Sequence, residues 1–434
     1  MESKLVTGSK NATKKRQPGF GGGLVFLCII ATLFAGSWAA SNALAADWLT
    51  WRGPNRDGRV HDFKLPAAWP DKPTQVWQSD VGTGHASPLV QGDHVFLLSR
   101  EGDNEVVRCV KLSDGAEVWS KNYPAPYKVH PAATAHGKGP RSTPALADGQ
   151  LFTLGINSVM TAWDAKTGKQ LWQRDFSERF KHTSPLYGTS TSPLINDDVC
   201  IAYVGGDDDG ALIAFDRKTG ETRWEYTDDG PSYASPVITT IGGTRQLITQ
   251  SRKYVLGLSA STGKLLWQEA YRTRFDQNSV TPLVIGDRVI IGGFRQGITC
   301  YRIRGRGRRF SVSRAWHTDD ASMYMSSPVV SRGQIYGHSQ NRKGQLFCID
   351  VGSGNVRWLG DGRLADNAAL LIVGETIVTV TTDSELIVFK ADAAKYSEVA
   401  RYEIADDEVW AHPALTDRGI LIKDEQTLAL WSLE

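Results

Sequence analysis

The chain has 434 residues, 41% of them hydrophobic, with 49 basic against 47 acidic side chains, so its net charge of +2 offers nothing to attract nucleic acid or an anionic membrane globally. Its five cysteines are scattered along the sequence, which excludes a disulfide scaffold or a cysteine-rich metal module.

Lys14-Lys15-Arg16 precede a largely apolar run from Leu24 to Ala40, and Ala43-Leu44-Ala45 places small residues where a signal peptidase cuts. Residues 1–45 are therefore expected to be a signal peptide, giving a periplasmic or secreted protein. The alternative is an inner-membrane anchor formed by residues 24–40, although 17 residues are short for a span. Cys28, after Phe26-Leu27, does not match a lipoprotein cleavage site. Without the five basic residues and one acidic residue of this segment, 44 basic and 46 acidic side chains remain, a net charge of −2.

An arm over residues 46–73 follows. Its stretch Asp47-Trp48-Leu49-Thr50-Trp51-Arg52-Gly53-Pro54-Asn55-Arg56-Asp57-Gly58 is rich in turn residues and aromatics, precedes the first strand and fits no repeat. Trp48 and Trp51 are expected to pack against the body of the protein, as side chains of that area do. Arg52 and Asn55 are the arm's candidates for a ligand.

From Thr74 to Glu434 the sequence repeats. The phrase from Asp164 through Thr167-Gly168 to Trp172 returns as Asp216 to Trp224, Ser259 to Trp267 and Asp350 to Trp358. It describes a tight turn, with an Asp carboxylate accepting from turn amides and Gly taking a positive φ, followed by a strand carrying the Trp. Looser copies end at Trp119, at Trp316 and at Tyr402. Upstream of each lies a small hydroxyl residue before proline: Ser87-Pro88, Thr143-Pro144, Ser192-Pro193, Ser235-Pro236, Thr281-Pro282 and Ser327-Pro328, with Ala368-Ala369 and His412-Pro413 completing the series. From each such start to the next aromatic end is 28 to 34 residues, room for four short strands.

Eight starts need eight ends, yet the start at Pro413 reaches the end of the sequence after three strands. Thr74-Gln75-Val76-Trp77-Gln78 reads as a fourth strand with no first three before it. It is expected to complete the last unit and close a ring, an all-β eight-bladed propeller of four-stranded antiparallel blades over residues 74–434. Trp77, Trp119, Trp172, Trp224, Trp267, Trp316 and Trp358 would be the wedges between blades, each burying up to roughly 200 Å².

The small-residue-Pro starts, the ends such as Ala162 to Trp172 and Ala214 to Trp224, and the closing strand together resemble the pyrroloquinoline quinone (PQQ) repeat propellers. The resemblance covers nearly all of the sequence after residue 45. It implies one of two roles: a quinoprotein dehydrogenase binding PQQ and calcium and oxidising an alcohol or sugar, or a BamB-like platform that binds proteins in the cell envelope. The adjacent-cysteine pair that caps the cofactor in many of the dehydrogenases is missing, so the platform is the expectation, with a monomer, an envelope protein partner or a small polar ligand, and no nucleic acid.

In a propeller the residues just ahead of each marker proline gather at one mouth of the channel. Three positions ahead stand His85, Arg141, Ser190, Tyr233, Ser279, Met325, Asp366 and Trp410, with Asn278, Tyr324, Asn367 and His412 beside them. Arg141 suits a carboxylate. Were PQQ bound, position in the repeat would put its carboxylates on Arg141 and its ring on Trp410, with Asp366 and Asn367 as metal or base candidates.

Three other clusters are legible. His130 and His136 lie on a long Pro- and Ala-rich insertion with Tyr123, Tyr127, Lys128, Lys138 and Arg141, without a metal-ligand spacing, which predicts a solvated or channel-capping loop. Asp207-Asp208-Asp209 could attract calcium but lacks the alternation of a calcium loop and reads as a hairpin tip. Arg302, Arg304, Arg306, Arg308, Arg309 and Arg314 crowd the loop between the last two strands of the fifth repeat, on the face opposite the mouth, where an acidic partner or lipid surface could dock or where the loop is simply solvated. No glycine-rich phosphate loop, Gly-x-Ser-x-Gly or His-Glu-x-x-His occurs after residue 45.

Overall fold

The computed structural model describes residues 47–61 and 63–434. The expected signal peptide or anchor over residues 1–45 lies outside the described residues, among which no helix is long and apolar enough to cross a membrane.

Strands dominate, and they fall into eight sheets. Blades 1 to 7 occupy residues 89–124, 145–174, 194–226, 237–270, 283–318, 329–359 and 368–403, each with four antiparallel strands in sequence order from the axis outward. Blade 8 takes three strands from residues 414–432 and its outermost strand, Thr74–Asp80, from the start of the fold. That strand runs antiparallel to Thr427–Ser432 with Trp77 opposite Leu430, which is the closure the sequence predicts. The inner strands are buried on both faces because each sheet is covered by both of its neighbours. Thus Phe152, Ala162 and Trp172 of blade 2 share a core with Cys200, Ile213 and Phe215 of blade 3. Cys109, Cys200, Cys300 and Cys348 are all buried and unpaired.

The repeated phrase now has a full physical account. Asp164 Oδ1 accepts from the Thr167 amide at 2.8 Å and from its hydroxyl at 2.6 Å, fixing the turn. The Trp of each outer strand reaches into the next blade, where its Nε1 donates to a turn carbonyl: Trp77 to Leu112, Trp119 to Ala165, Trp172 to Arg217, Trp316 to Val351 and Trp358 to Asp392, at 2.8 to 3.1 Å. The turn glycine is fixed twice over. Gly220 has φ +70°, and a Cβ there would stand 2.6 Å from the Trp172 ring of the preceding blade. Trp224 covers Gly263 in the same manner. Trp267 departs from the pattern because blade 5 has no Thr-Gly turn to receive it; it lies on Gly257 of its own blade and donates to Gln246 Oε1 at 2.7 Å. Tyr402 substitutes for a Trp by donating its hydroxyl to Pro70 O at 2.6 Å.

The hydroxyl residues before the prolines also join blade to blade. The amides of Ser87, Thr143, Ser192, Ser235 and Thr281 donate to the hydroxyls of Thr143, Ser192, Ser235, Thr281 and Ser327 at 2.9 to 3.2 Å. Blade 7 has Ala368 at this position and no hydroxyl to offer, so the Ala368 amide donates to Ser326 Oγ instead.

The arm corrects the expectation that it fits no blade. Trp48 bridges Val90 of blade 1, Leu49 O accepts from Leu146 of blade 2, and Arg59–Val60 pairs in parallel with the innermost strand of blade 7. Between these points the chain turns inside the channel. Arg52 and Arg56, both at positive φ, are buried there without a carboxylate within 4.0 Å among the described residues. Arg52 donates to Pro328 O at 2.5 Å and Ser327 O at 3.3 Å in blade 6. Arg56 donates to Pro193 O at 2.6 Å and Ser192 O at 3.0 Å in blade 3. Burial pushes both guanidiniums down, to about 10 for Arg52 and about 9 for Arg56. Arg52 is therefore a brace across the channel, while Asn55 is exposed.

Candidate functional site

Because the arm fills the axis, the channel becomes a blind cup with Trp51 in its lining. The Trp51 ring stands edge-on to His412 at 5.2 Å and lies 5.7 and 5.9 Å from the Arg52 and Arg56 guanidiniums. Above it opens a cavity of about 250 Å³. Of the eight residues three positions ahead of the markers, His85, Arg141, Ser190, Tyr233, Ser279, Met325 and Trp410 all line it, as the equivalence of their positions in the repeat requires. Tyr324 lines it as well. Sequence reasoning missed Trp51, Tyr187 and Gln277, which also line the cavity; Trp51 comes from outside the repeat, and only the arm's aromatic density hinted at it.

Four expected residues are placed elsewhere. Asp366 is exposed and outside the cavity. Asn367 is buried, with Oδ1 accepting from the Met325 amide at 3.3 Å. Asn278 is wholly buried and gives its side-chain amide to Ser251 O, Arg252 O and Tyr271 O at 2.8 to 3.2 Å. His412 lies beside the Trp51 ring with its Nδ1 unpartnered. Asn367 and Asn278 are taken up by hydrogen bonds of their own and His412 by the Trp51 ring, while Asp366 stands at an exposed corner.

The insertion after blade 1 folds over the mouth. Its turn Pro131–His136 brings His136 into the lining, T-shaped against Trp410 at 4.9 Å. His130 accepts from the Ala132 amide and meets Tyr187 edge-on at 6.4 Å. Tyr123 belongs to the outer strand of blade 1 and donates to Glu105 at 2.5 Å, outside the cavity.

Electrostatically the cup is cationic. Arg141 donates to Tyr187 O and to Gly137 O at 3.3 Å, but no carboxylate lies within 4.0 Å of it among the described residues. Burial holds its guanidinium below the usual arginine range. His85 is pushed down to about 3 by burial and then by the charges of Arg141 and Lys423, so it is neutral at pH 7, with Nδ1 buried and unpartnered. Burial raises Tyr233, and raises Tyr324 to about 12. One half-buried cation, a neutral imidazole, phenol and seryl hydroxyls and two indole rings can hold an anionic group on an apolar body. They include no nucleophile paired with a base.

This donor set does not fit calcium with a quinone. Calcium takes six to eight oxygen ligands, carboxylates among them, and no Asp or Glu lines the cavity. Within the acidic triplet Arg252 pairs with Asp208, and Asp209 accepts from the Lys181 amide through Oδ2 while its Oδ1 is buried without a partner. Among the described residues no group of His, Cys, Asp and Glu could hold a metal ion. The arginine-rich segment is not a loop but an extension of two strands, Ile298–Arg306 and Arg309–Thr318, paired to a two-residue tip.

A ring of eight repeat-built blades, closed by the N-terminal strand Thr74–Asp80 around an axial cup, defines a PQQ-repeat β-propeller. Within that class the chain belongs to the family described as outer membrane protein assembly factor BamB, whose family model matches residues 103–359. The BamB of Yersinia pestis is 24% identical over 283 residues, covering 63% of this chain and 70% of that protein. The crystal structure of BamB from Moraxella catarrhalis superposes with a TM-score of 0.59 at 15% identity, covering 83% of this chain and 99% of that one. Quinohemoprotein alcohol dehydrogenase from Comamonas testosteroni superposes with a TM-score of 0.66 at 13% identity, covering 89% and 80% respectively. At these identities the structural likeness speaks for the propeller alone.

Proposed function

We propose that this protein is an exported, non-catalytic binding platform of the cell envelope, and that its axial cup receives a carboxylate attached to an apolar or aromatic body. The observation that carries this reading is Arg141, a half-buried guanidinium at the cup without a carboxylate partner, with Trp410, Trp51 and Tyr187 in the same lining. A charge so placed is stabilised most by a bidentate anion. Membership of the BamB family supports the platform role, in which the carboxylate would be presented by a protein partner. A free small acid would use the same chemistry.

The test is calorimetry and thermal shift with a panel of aromatic carboxylates, together with photo-crosslinking from position 410 in envelope preparations. Binding abolished by Arg141→Met, or a specific adduct at position 410, supports the reading. Absence of both at millimolar ligand overturns it. The dehydrogenase alternative, acting on an alcohol or sugar, rests on Arg141 as a match for the carboxylates of PQQ. Addition of PQQ with calcium, followed by spectroscopy and dye-linked oxidation of alcohols and sugars, decides that alternative independently.

A further inference from the structure

The face opposite the cup carries an unmatched group of cations. Residues ahead of each innermost strand line the cup, so the turns after those strands lie at the other end of the axis. Asp47 sits there, its Oδ1 accepting from Gly92 in the first turn of blade 1 at 3.0 Å. The extended hairpin of blade 5 starts there too, where the Ile303 amide donates to Asp287 O at 2.8 Å. The paired strands then continue for about 10 Å beyond that turn. They lean on blade 4, since a Cβ at Gly242 would meet Gly305 O and Thr244 Oγ1 donates to Gly307 O at 3.4 Å.

Arg304, Arg306, Arg308 and Arg309 surround the tip and are exposed, and none has a carboxylate within 4.0 Å among the described residues. Arg306 stands directly opposite Arg309, an arrangement of like charges that costs stability. Elsewhere on this face three carboxylates of the turns are paired: Asp148 with Arg217, Asp287 with Arg302, Glu375 with Arg332. The tip thus gathers four unpaired cations in one braced hairpin, while Lys166, Lys169, Lys218 and Lys264 stand unpaired among the described residues on the turns of blades 2 to 4.

We propose that this face rests on an anionic lipid surface, with the Arg304–Arg309 tip as its headgroup contact. Four guanidiniums spread over a tip suit a mobile array of phosphates, each of which can move to meet one. The position of Asp47 supplies the second, independent reason. The apolar run Leu24–Ala40 precedes it by seven residues, a reach of at most about 25 Å. With this face on the lipid, the cup opens away from the membrane.

The test is flotation of the full chain with phosphatidylcholine vesicles and with vesicles containing one third phosphatidylglycerol, at low and high salt. Any insertion of the apolar run is common to both, so the ratio isolates the tip. The wild type is expected to favour the anionic vesicles by about tenfold or more, with the preference lost at high salt. R304S/R306S/R308S/R309S should lose that preference at an unchanged melting temperature, and the corresponding four-lysine variant should keep it. Equal flotation of wild type and serine variant on anionic vesicles overturns the proposal. So does loss of preference in the lysine variant, or capture of an acidic protein from position 308 without any lipid preference.

Discussion

The backbone amide of His412 donates to Ser87 Oγ at 2.8 Å, joining the last blade of the ring to the first. It is the same bond that links the starts of blades 1 to 6, made here across 325 residues. Ser87→Ala removes the acceptor and leaves a buried amide unpaired, which should cost about 1–3 kcal/mol. Denaturant titration measures it. A cost near zero would mean that the seam is held by the strand Thr74–Asp80 alone.

Trp172 and Gly220 form one contact between two blades, and their substitutions should be coupled. Trp172→Ala is expected to cost about 3–5 kcal/mol through the cavity it leaves. Gly220→Ala is expected to cost about 2–3 kcal/mol, because its Cβ meets the ring and its φ is positive. The double variant should be less destabilised than the sum by about 1 kcal/mol or more, since the clash disappears with the ring. Additive costs in the double-mutant cycle would reject the wedge.

Arg56 holds the arm to blade 3 through two carbonyls. Arg56→Ala should cost about 2–3 kcal/mol, because two buried acceptors lose a charged donor. If the arm is what closes the cup, the same variant should also expose Trp51. Increased quenching of tryptophan fluorescence by acrylamide reads this out.

His85 and His412 are both held neutral, at about 3, chiefly by burial. The unfolded chain takes up protons on these rings near pH 6.5 and the folded one does not. Their contribution to stability is complete above about pH 6.5 and is lost progressively as the pH falls towards 3. Melting temperatures measured from pH 7.5 to 4 should therefore decline, and His412→Gln should flatten the decline. An unchanged slope in that variant would place the acid sensitivity elsewhere.

The seven cup residues predicted from their place in the repeat were found because a propeller carries position in the sequence directly into position at the axis. Asp366, Asn367, Asn278 and His412 broke that correspondence for local reasons: an exposed corner, an amide used by Met325, an amide used by three carbonyls, and a ring pressed against Trp51. Trp51 and Tyr187 could not be assigned in advance, since neither follows from the period.

The sequence by itself determined the number of blades, their strand order and the closure by Thr74–Asp80, because each rests on a pattern of turn residues and aromatics repeated over short range. Only the tertiary structure decided the path of the arm. Its contacts join residues far apart in the chain, such as Arg52 with Pro328 and Arg56 with Pro193, through backbone carbonyls that every residue type supplies and no sequence pattern distinguishes. Those contacts are what turn an open channel into a cup.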